Sequence, residues 1–278
     1  MKKSIKLTLA LSACALLGIG ATVWAATAAK GHITIPDGYS ELVFNDEFDN
    51  TGAPDSTKWG FEQGYLRNGE LQYYMPGNAN VNCADGVLTI EARNDSVSVD
   101  GKIIPITSAS IITRPAFTWK YGYVEVRAKI PSSLGTWPAI WMMPAENVYG
   151  RWPRSGEIDI MEHVGYDPSK IHFSAHTERF NHTRGTQRTH VIEAPEAVGQ
   201  FHTYGLKWTP DRLTWLYDGK EQYTIDREEN SDWTSWPFDI DYYLIINLAF
   251  GGGWGGSQGV DINSLPQRYE IDYVRIFK

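Results

Sequence analysis

Residues 121–130 read Tyr-Gly-Tyr-Val-Glu-Val-Arg-Ala-Lys-Ile, and from Val124 onward apolar and charged side chains alternate. Successive side chains of an extended strand point to opposite faces, so this period of two separates the apolar residues from the charged ones. The pattern predicts a β-strand that is buried on one face and solvated on the other.

Further β-rich runs flank this strand on both sides, with turn residues between them. Three aspartate–glycine pairs are of the kind that forms tight hairpins: Asp85-Gly86, Asp100-Gly101 and Asp218-Gly219. Strands are predicted at residues 87–93, 158–163, 170–176, 202–208, 242–249 and 270–277. Residues 194–199 suggest one short helical turn. Many short antiparallel strands in one chain predict an all-β sandwich or barrel.

The first residues have the composition of an export signal. Residues 1–6 carry three lysines, residues 7–25 are apolar and small residues follow, which is typical of a secretory signal peptide cleaved after Ala25 or as late as Ala28. The run Leu-Ser-Ala-Cys at 11–14 resembles a lipoprotein box, but the apolar stretch continues beyond Cys14, which disfavours lipid attachment. We predict a secreted or periplasmic protein with a single domain over residues 29–278.

Charge and cysteine content exclude several classes of partner. Removal of residues 1–25 takes away three lysines and no acid, so the net charge of −8 becomes −11. An acidic protein is poorly suited to bind nucleic acid or an anionic membrane, and no later segment has the roughly 20 apolar residues that span a bilayer. Cys83 is then the only cysteine left, so the hydrophobic core must stabilise the fold without an intramolecular disulfide. We predict a monomer.

Residues 157–162 read Glu-Ile-Asp-Ile-Met-Glu and carry the strongest functional signal in the chain. Strand alternation puts Glu157 and Asp159 on one face and Glu162 on the other. One extra residue, Met161, forms a β-bulge that returns Glu162 to the acidic face, and bulges are frequent beside active sites. A solvated or salt-bridged strand edge is the structural alternative. Three carboxylates on one face instead predict two-carboxylate catalysis.

Tryptophans in segments that contain glycine or proline predict a groove next to this strand, because several of them are at positions less suited to the core. They are Trp137, Trp141, Trp152, Trp233, Trp236 and Trp254. Indoles stack on the C–H faces of pyranose rings, and polar side chains are available for the hydroxyl groups: Asn68, Glu70, Gln72, Asn181 and Asn247. Carboxylates beside such a groove indicate a glycoside hydrolase, and the strand spacing permits a retaining or an inverting mechanism.

Residues 156–165, Gly-Glu-Ile-Asp-Ile-Met-Glu-His-Val-Gly, resemble the active-site strand of glycoside hydrolase family 16, with the longer spacing of its laminarinase-like branch. Further blocks stand in the order of that family: 44–48, 68–74, 121–128, 135–142, 247–256 and 272–275. The resemblance implies a β-jelly-roll sandwich of two curved antiparallel sheets with an open cleft. It also implies retaining endohydrolysis of a β-1,3-glucan of the laminarin type, with mixed β-1,3/1,4-glucan as a further substrate.

The resemblance assigns roles to residues of this chain. Glu157 matches the nucleophile, Glu162 the acid/base and Asp159 the residue that assists them. Sugar-stacking positions are matched by Trp137, Trp141 and Trp254, and polar cleft positions by Asn68, Glu70, His176 and Asn247. No cofactor is implied for catalysis. A structural calcium far from the cleft is implied, with the hard oxygen ligands that calcium prefers on Glu47, the carbonyl group of Gly86 and Asp272.

The segment 176–188 departs from the family pattern because it is longer and more basic than the short turn common in laminarinases. Arg179, Arg184 and Arg188 could contact the sulfate esters of an agar- or carrageenan-type galactan. A loop that shapes subsites for neutral glucan agrees better with the acidic chain.

Two further alternatives concern the class of protein. A catalytic transition metal held by His172 and His176 is disfavoured, because no cysteine or dense acidic partner completes a ligand set. A non-catalytic β-glucan-binding protein on the same fold could keep the aromatic groove without the acids. The presence of both Glu157 and Glu162 favours the enzyme.

Overall fold

Antiparallel β-strands dominate residues 33–278, which are the residues that this computed structural model describes. The strands are β1 Leu42–Asp46, β2 Gly60–Phe61, β3 Tyr73–Tyr74, β4 Val81–Ala84, β5 Val87–Ala92, β6 Val97–Val99, β7 Lys102–Ile104, β8 Thr107–Ser108, β9 Ser110–Ile112, β10 Gly122–Lys129, β11 Thr136–Pro144, β12 Glu157–Glu162, β13 Lys170–His176, β14 Arg188–Glu193, β15 His202–Thr209, β16 Arg212–Tyr217, β17 Lys220–Asp226, β18 Tyr242–Phe250 and β19 Gln267–Phe277. The predicted signal peptide lies outside the described residues.

The strands form two large sheets and two small strand pairs. The eight-stranded sheet has the order β17-β16-β15-β10-β19-β5-β4, and β1 also pairs with β19. The seven-stranded sheet has the order β14-β13-β12-β11-β18-β9-β2. The small pairs are β3 with β8, which is parallel, and β6 with β7. This arrangement confirms the predicted all-β architecture.

A hydrophobic core joins the two large sheets. Val124 and Val126 of β10 are buried, as the alternation in residues 121–130 predicts, and they belong to the same apolar cluster as Ile158 and Ile160 of β12. Each inner face therefore buries every second side chain, which leaves the opposite face of each strand available for other contacts.

The predicted hairpins are confirmed. Each of the three aspartate–glycine pairs joins two consecutive antiparallel strands, and in each pair both residues have positive φ, as at Asp85 (53°) and Gly86 (75°). Positive φ at both central residues defines the turn type that suits two-residue hairpins.

The helical prediction for residues 194–199 is wrong. This segment makes a turn closed by the N–H of Ala197 on the carbonyl group of Ala194 (3.0 Å). Two short 3₁₀ turns occur elsewhere, at His182–Arg184 and Ile262–Ser264. No helix in residues 33–278 has the length and apolar character needed to cross a membrane.

Candidate active site

One face of the seven-stranded sheet lines a cleft of about 990 Å³. The lining side chains sit at alternate positions of adjacent strands, because successive residues point to opposite faces. They include Trp137, Ala139, Trp141 and Met143 on β11, Tyr243, Ile245, Asn247 and Ala249 on β18, and His172, Ser174 and His176 on β13. The alternation that buries the core thus also builds the cleft.

The acidic strand β12 lies between β11 and β13 and contains the predicted bulge. Asp159 is opposite Trp141 and Met161 is opposite Ile140, so Ile160 is the extra residue on β12. Ile160 and Met161 are both fully buried, whereas Glu157, Asp159 and Glu162 all line the cleft. The predicted bulge is therefore confirmed, but its extra residue is Ile160 and not Met161, which pairs with Ile140. The bulge brings the third carboxylate to the face of the first two.

Polar side chains from the neighbouring strands contact these carboxyl groups. The indole Nε1 of Trp137 donates to Oε1 of Glu162 at 3.0 Å. Nε2 of His176 lies 3.2 Å from Oδ2 of Asp159 and 3.6 Å from Oε1 of Glu157. Glu162 is thus contacted by Trp137, whereas Glu157 and Asp159 are both contacted by His176.

Burial favours the neutral form of all three carboxyl groups. Burial, together with the charge of nearby Asp159, raises the pKa of Glu162 to about 8, against the lowering effect of the Trp137 hydrogen bond. The pKa values of Glu157 and Asp159 are also raised, chiefly by burial. Glu162 is therefore suited to donate a proton at neutral pH, and Glu157 and Asp159 are close enough to share one.

A buried hydrogen-bond chain fixes the floor of the cleft beside the acids. Nε1 of Trp141 donates to Oδ1 of Asn247 (2.7 Å), whose Nδ2 donates to the hydroxyl of Tyr74 (2.9 Å). The Tyr74 hydroxyl donates to Oε2 of Glu70 (3.2 Å). Burial raises the pKa of Glu70, while hydrogen bonds from Gln72, Asn68 and Tyr74 favour its charged form. These hydrogen bonds fix the orientation of the Asn247 amide.

A family model for glycosyl hydrolases family 16 matches residues 70–275, which include the whole of β12. The chain belongs to this family. Membership of this family confirms the resemblance found in the sequence. It also confirms the prediction of a glycoside hydrolase, and enzymes of this family need no cofactor for catalysis.

Family 16 proteins with similar sequences agree on the fold. A solved laminarinase from Rhodothermus marinus has a TM-score of 0.81 and 44% identity, and the match covers 86% of this chain and 97% of that one. The jelly-roll sandwich is thereby confirmed. A curated β-glucanase from Rhodothermus marinus is 45% identical over 247 residues, covering 86% of this chain and 85% of its own length.

A third relative acts on a different polymer. A keratan-sulfate endo-1,4-β-galactosidase from Sphingobacterium multivorum is 34% identical over 240 residues, and this match covers 86% of the chain but 55% of that protein. Membership of family 16 by itself therefore leaves the sugar open.

The family 16 cleft contains every residue to which the family resemblance assigns a catalytic or substrate-binding role. Its walls include Asn68, Glu70, Trp137, Trp141, His176, Asn247 and Trp254 together with the three acids of β12. Their individual roles stay predictions. Other candidates lie elsewhere: Trp236 is 2% exposed and belongs to the core, and Gln72 and Asn181 are buried and bond to neighbouring protein groups.

Sequence reasoning missed several cleft residues. His182 lies against Trp152 (ring centroids 4.9 Å apart) and His176 (5.2 Å), and all three line the cleft. Arg67 lines it as well, forms an ion pair with Glu62, and lies 4.8 Å above the ring of Trp141. His182 and Arg67 come from loops, where strand periodicity gives no signal.

The arginines of segment 176–188 make protein contacts away from the cleft wall. Arg184 donates to Glu178 (3.1 Å), and Arg188 donates to Glu228 (2.5 Å). Arg188 also lies 4.3 Å above the ring of Phe180. The loop instead contributes His182 and Gln187 to the cleft.

The residues predicted to bind metals fall into two places. Glu47, Gly86 and Asp272 are outside the cleft, near one edge of β19, where the end of β1 and the start of β5 meet. The pair His172 and His176 does not form a metal site in the described part of the chain. His172 is opposite Glu162 and His176 is opposite Glu157, so the two imidazoles lie at different ends of the acidic row.

Proposed function

We propose that the chain is an exported, endo-acting, retaining β-glucanase that hydrolyses β-1,3-glucan and also mixed β-1,3/1,4-glucan. The observation that carries this proposal is the row of Glu157, Asp159 and Glu162 on one face of β12, in a cleft whose walls carry several indoles. The β-glucanase and laminarinase among its relatives support the choice of glucan.

The reaction that we propose gives each of the two glutamates one role. The carboxylate of Glu157 attacks the anomeric carbon while the carboxyl of Glu162 gives its proton to the departing glycosidic oxygen, so one C–O bond forms as the other breaks. The Glu162 carboxylate then takes a proton from water, which attacks the same carbon and releases Glu157. Two inversions at one carbon retain the β configuration.

Asp159 and the tryptophans support these steps. Asp159 can hold the proton that Glu157 must lose before it attacks, because the two carboxyl groups are coupled in one buried site. Trp137 donates to Glu162 and packs edge-on against Trp254 at 5.4 Å between ring centroids. Both indoles present apolar surface on which a pyranose ring can stack.

A panel of polysaccharides tests the substrate. Laminarin, barley β-glucan, agarose and carrageenan are each digested and the products sized, and we expect short oligosaccharides from the first two. Cleavage of carrageenan or agarose alone would contradict the glucan proposal. The ion pairs of Arg184 and Arg188 argue against a sulfated galactan, since these guanidinium groups are already engaged by carboxylates.

The stereochemistry and the rival class each have a direct test. Proton NMR of fresh products should show the β-anomer first, and an initial α-anomer would refute retention.

A non-catalytic β-glucan-binding protein would bind laminarin without releasing reducing ends. The raised pKa of Glu162, to about 8, supports an enzyme, because a binding surface has no use for a buried acid that stays protonated.

We also propose that calcium binds at Glu47, the carbonyl group of Gly86 and Asp272. The Glu47 carboxylate accepts two hydrogen bonds from Arg275 (2.9 and 2.8 Å), and Asp272 accepts one from Arg127 (2.5 Å). Carboxylate and carbonyl oxygens are the hard ligands that calcium prefers, and all three predicted ligands supply oxygen. Calcium should raise the melting temperature of chelator-treated protein by mass action on the folded state, and an unchanged value would contradict this site.

Export and the monomeric state belong to the same proposal. Residues 1–25, or as far as 28, are expected to be removed on export, and mass spectrometry of the protein recovered from the periplasm or medium would locate the new N-terminus. Light scattering should give the mass of one chain.

A further inference from the structure

A second binding function lies within the row of acids, where three potential metal ligands converge. Oε1 of Glu157, Oδ2 of Asp159 and Nε2 of His176 each offer one ligand atom, and suitable atoms of the three residues lie within 4.8 Å of one another. His176 and Asp159 are nearly fully buried, at 5% and 2% exposure.

Two of the three separations between these atoms agree with those of a tetrahedral zinc site. Zinc binds imidazole nitrogen and carboxylate oxygen at roughly 2.0–2.2 Å, which puts adjacent ligand atoms about 3.4 Å apart. Nε2 of His176 is 3.2 Å from Oδ2 of Asp159 and 3.6 Å from Oε1 of Glu157. A small ion can therefore enter between the three atoms without a change of strand register.

The polar atoms of this cluster are incompletely satisfied. Oδ2 of Asp159 and Nδ1 of His176 are buried and have no hydrogen-bond partner within the described chain. The short approach of Asp159 to His176 thus lacks the geometry of a hydrogen bond. A buried acceptor without a donor is costly, and a cation bound between Oδ2 of Asp159 and Nε2 of His176 would remove that cost for Asp159.

We propose that a borderline-soft divalent cation, with zinc as the probe, binds to Glu157, Asp159 and His176 and reversibly blocks the cleft. The fourth position of the tetrahedron faces the cleft, where Glu157 keeps 16% of its side chain exposed. Because the ion occupies the oxygen that attacks the sugar, zinc and oligosaccharide exclude each other. This site is additional to the proposed hydrolysis and does not depend on which glucan is cleaved.

Calorimetric titration of zinc chloride into the chelator-washed protein near pH 7 tests the proposal directly. We expect one site per chain, weakened at least tenfold in His176→Gln and in Asp159→Asn. His172→Gln is the matched control, because His172 is also a cleft imidazole on β13 but faces Glu162, and zinc binding should be unchanged in it. Circular dichroism establishes that each variant is folded.

Competition provides an independent readout. Saturation with a β-1,3-linked glucose trisaccharide should weaken zinc binding, and excess calcium should not. Zinc bound equally by the wild type and His176→Gln would place the ion elsewhere and overturn the proposal, as would the absence of a saturable site below millimolar zinc. Loss of the proposed glucanase activity would leave these binding results interpretable, since none of them requires hydrolysis.

Discussion

The indole Nε1 of Trp215 donates a 2.8 Å hydrogen bond to the backbone carbonyl group of Asp159. Trp215 lies on β16 of the eight-stranded sheet and is fully buried, whereas Asp159 lies on β12 of the seven-stranded sheet at the bulge. A bulge interrupts the ladder of backbone hydrogen bonds, so a donor from the other sheet is valuable at that point. A core residue of the eight-stranded sheet thereby anchors β12 at its bulge.

Replacement of Trp215 by phenylalanine should lower kcat about tenfold with little change in KM. The variant leaves the carbonyl group of Asp159 buried without its donor, at a cost of about 1–3 kcal/mol in the free energy of unfolding, and loosens the strand that aligns the acids. Steady-state kinetics and urea denaturation measure the two effects.

Trp208→Phe is the matched control for this prediction. Trp208 is buried on β15 and donates to the carbonyl group of Phe238 at 3.0 Å, outside the acidic strand. It should lose similar stability but keep kcat. An equal loss of kcat in both variants would show that the effect of Trp215 on activity is only a consequence of stability.

Glu157→Ser should reduce hydrolysis of laminarin by at least about 10³-fold while binding of the polymer is retained, because the proposed nucleophile is removed and the aromatic walls are not. Reducing-end assays and affinity electrophoresis measure the two properties. Glu228→Gln, at an exposed acid beyond the cleft, serves as the control. Full activity of Glu157→Ser would remove this residue from the mechanism.

The profile of kcat/KM against pH should fall on its alkaline side near pH 8, where Glu162 loses its proton. Trp137→Phe should move this limb to higher pH, because the indole hydrogen bond stabilises the charged form of Glu162 and lowers its pKa. KM should rise in the same variant through loss of stacking surface. A limb displaced to lower pH would contradict the assigned hydrogen bond.

The acids of β12 should make the fold less stable as pH rises. Their pKa values are raised above the ordinary 3.8–4.5 to about 8, so the folded protein binds more protons than the unfolded chain between these limits, and the free energy of unfolding falls across this window. Glu162→Gln removes one such group. Its melting temperature relative to the wild type should be higher at pH 8 than at pH 5, by at least about 5 °C.

Tyr74→Phe should raise KM several-fold with a smaller effect on kcat. The change removes the hydroxyl that links Asn247 to Glu70, so the Asn247 amide that holds Trp141 loses its fixed orientation. Tyr73→Phe is the control, since the Tyr73 hydroxyl bonds to the exposed Gln63 side chain. An unchanged KM for laminarin would show that these hydrogen bonds have no part in substrate binding.

Much of the fold follows from local patterns in the sequence. Alternation along β10 and the aspartate–glycine turns each depend on a few neighbouring residues, so strands and hairpins could be predicted closely. Residues 194–199 and Trp236 were misjudged because their environment is set by distant segments. Trp236 follows a loop yet fills the core, where its indole donates to the carbonyl group of Pro210 (2.9 Å).

The sequence by itself determined the strands, the family and the three acids, because motif spacing and side-chain parity are properties of consecutive residues. The parity of Glu162 even required the bulge. Only the tertiary structure decided which residues surround those acids: Trp137 above Glu162, His176 between Glu157 and Asp159, and Trp215 beneath the bulge. These contacts join strands that are far apart in the chain, and their distances depend on how the two sheets pack.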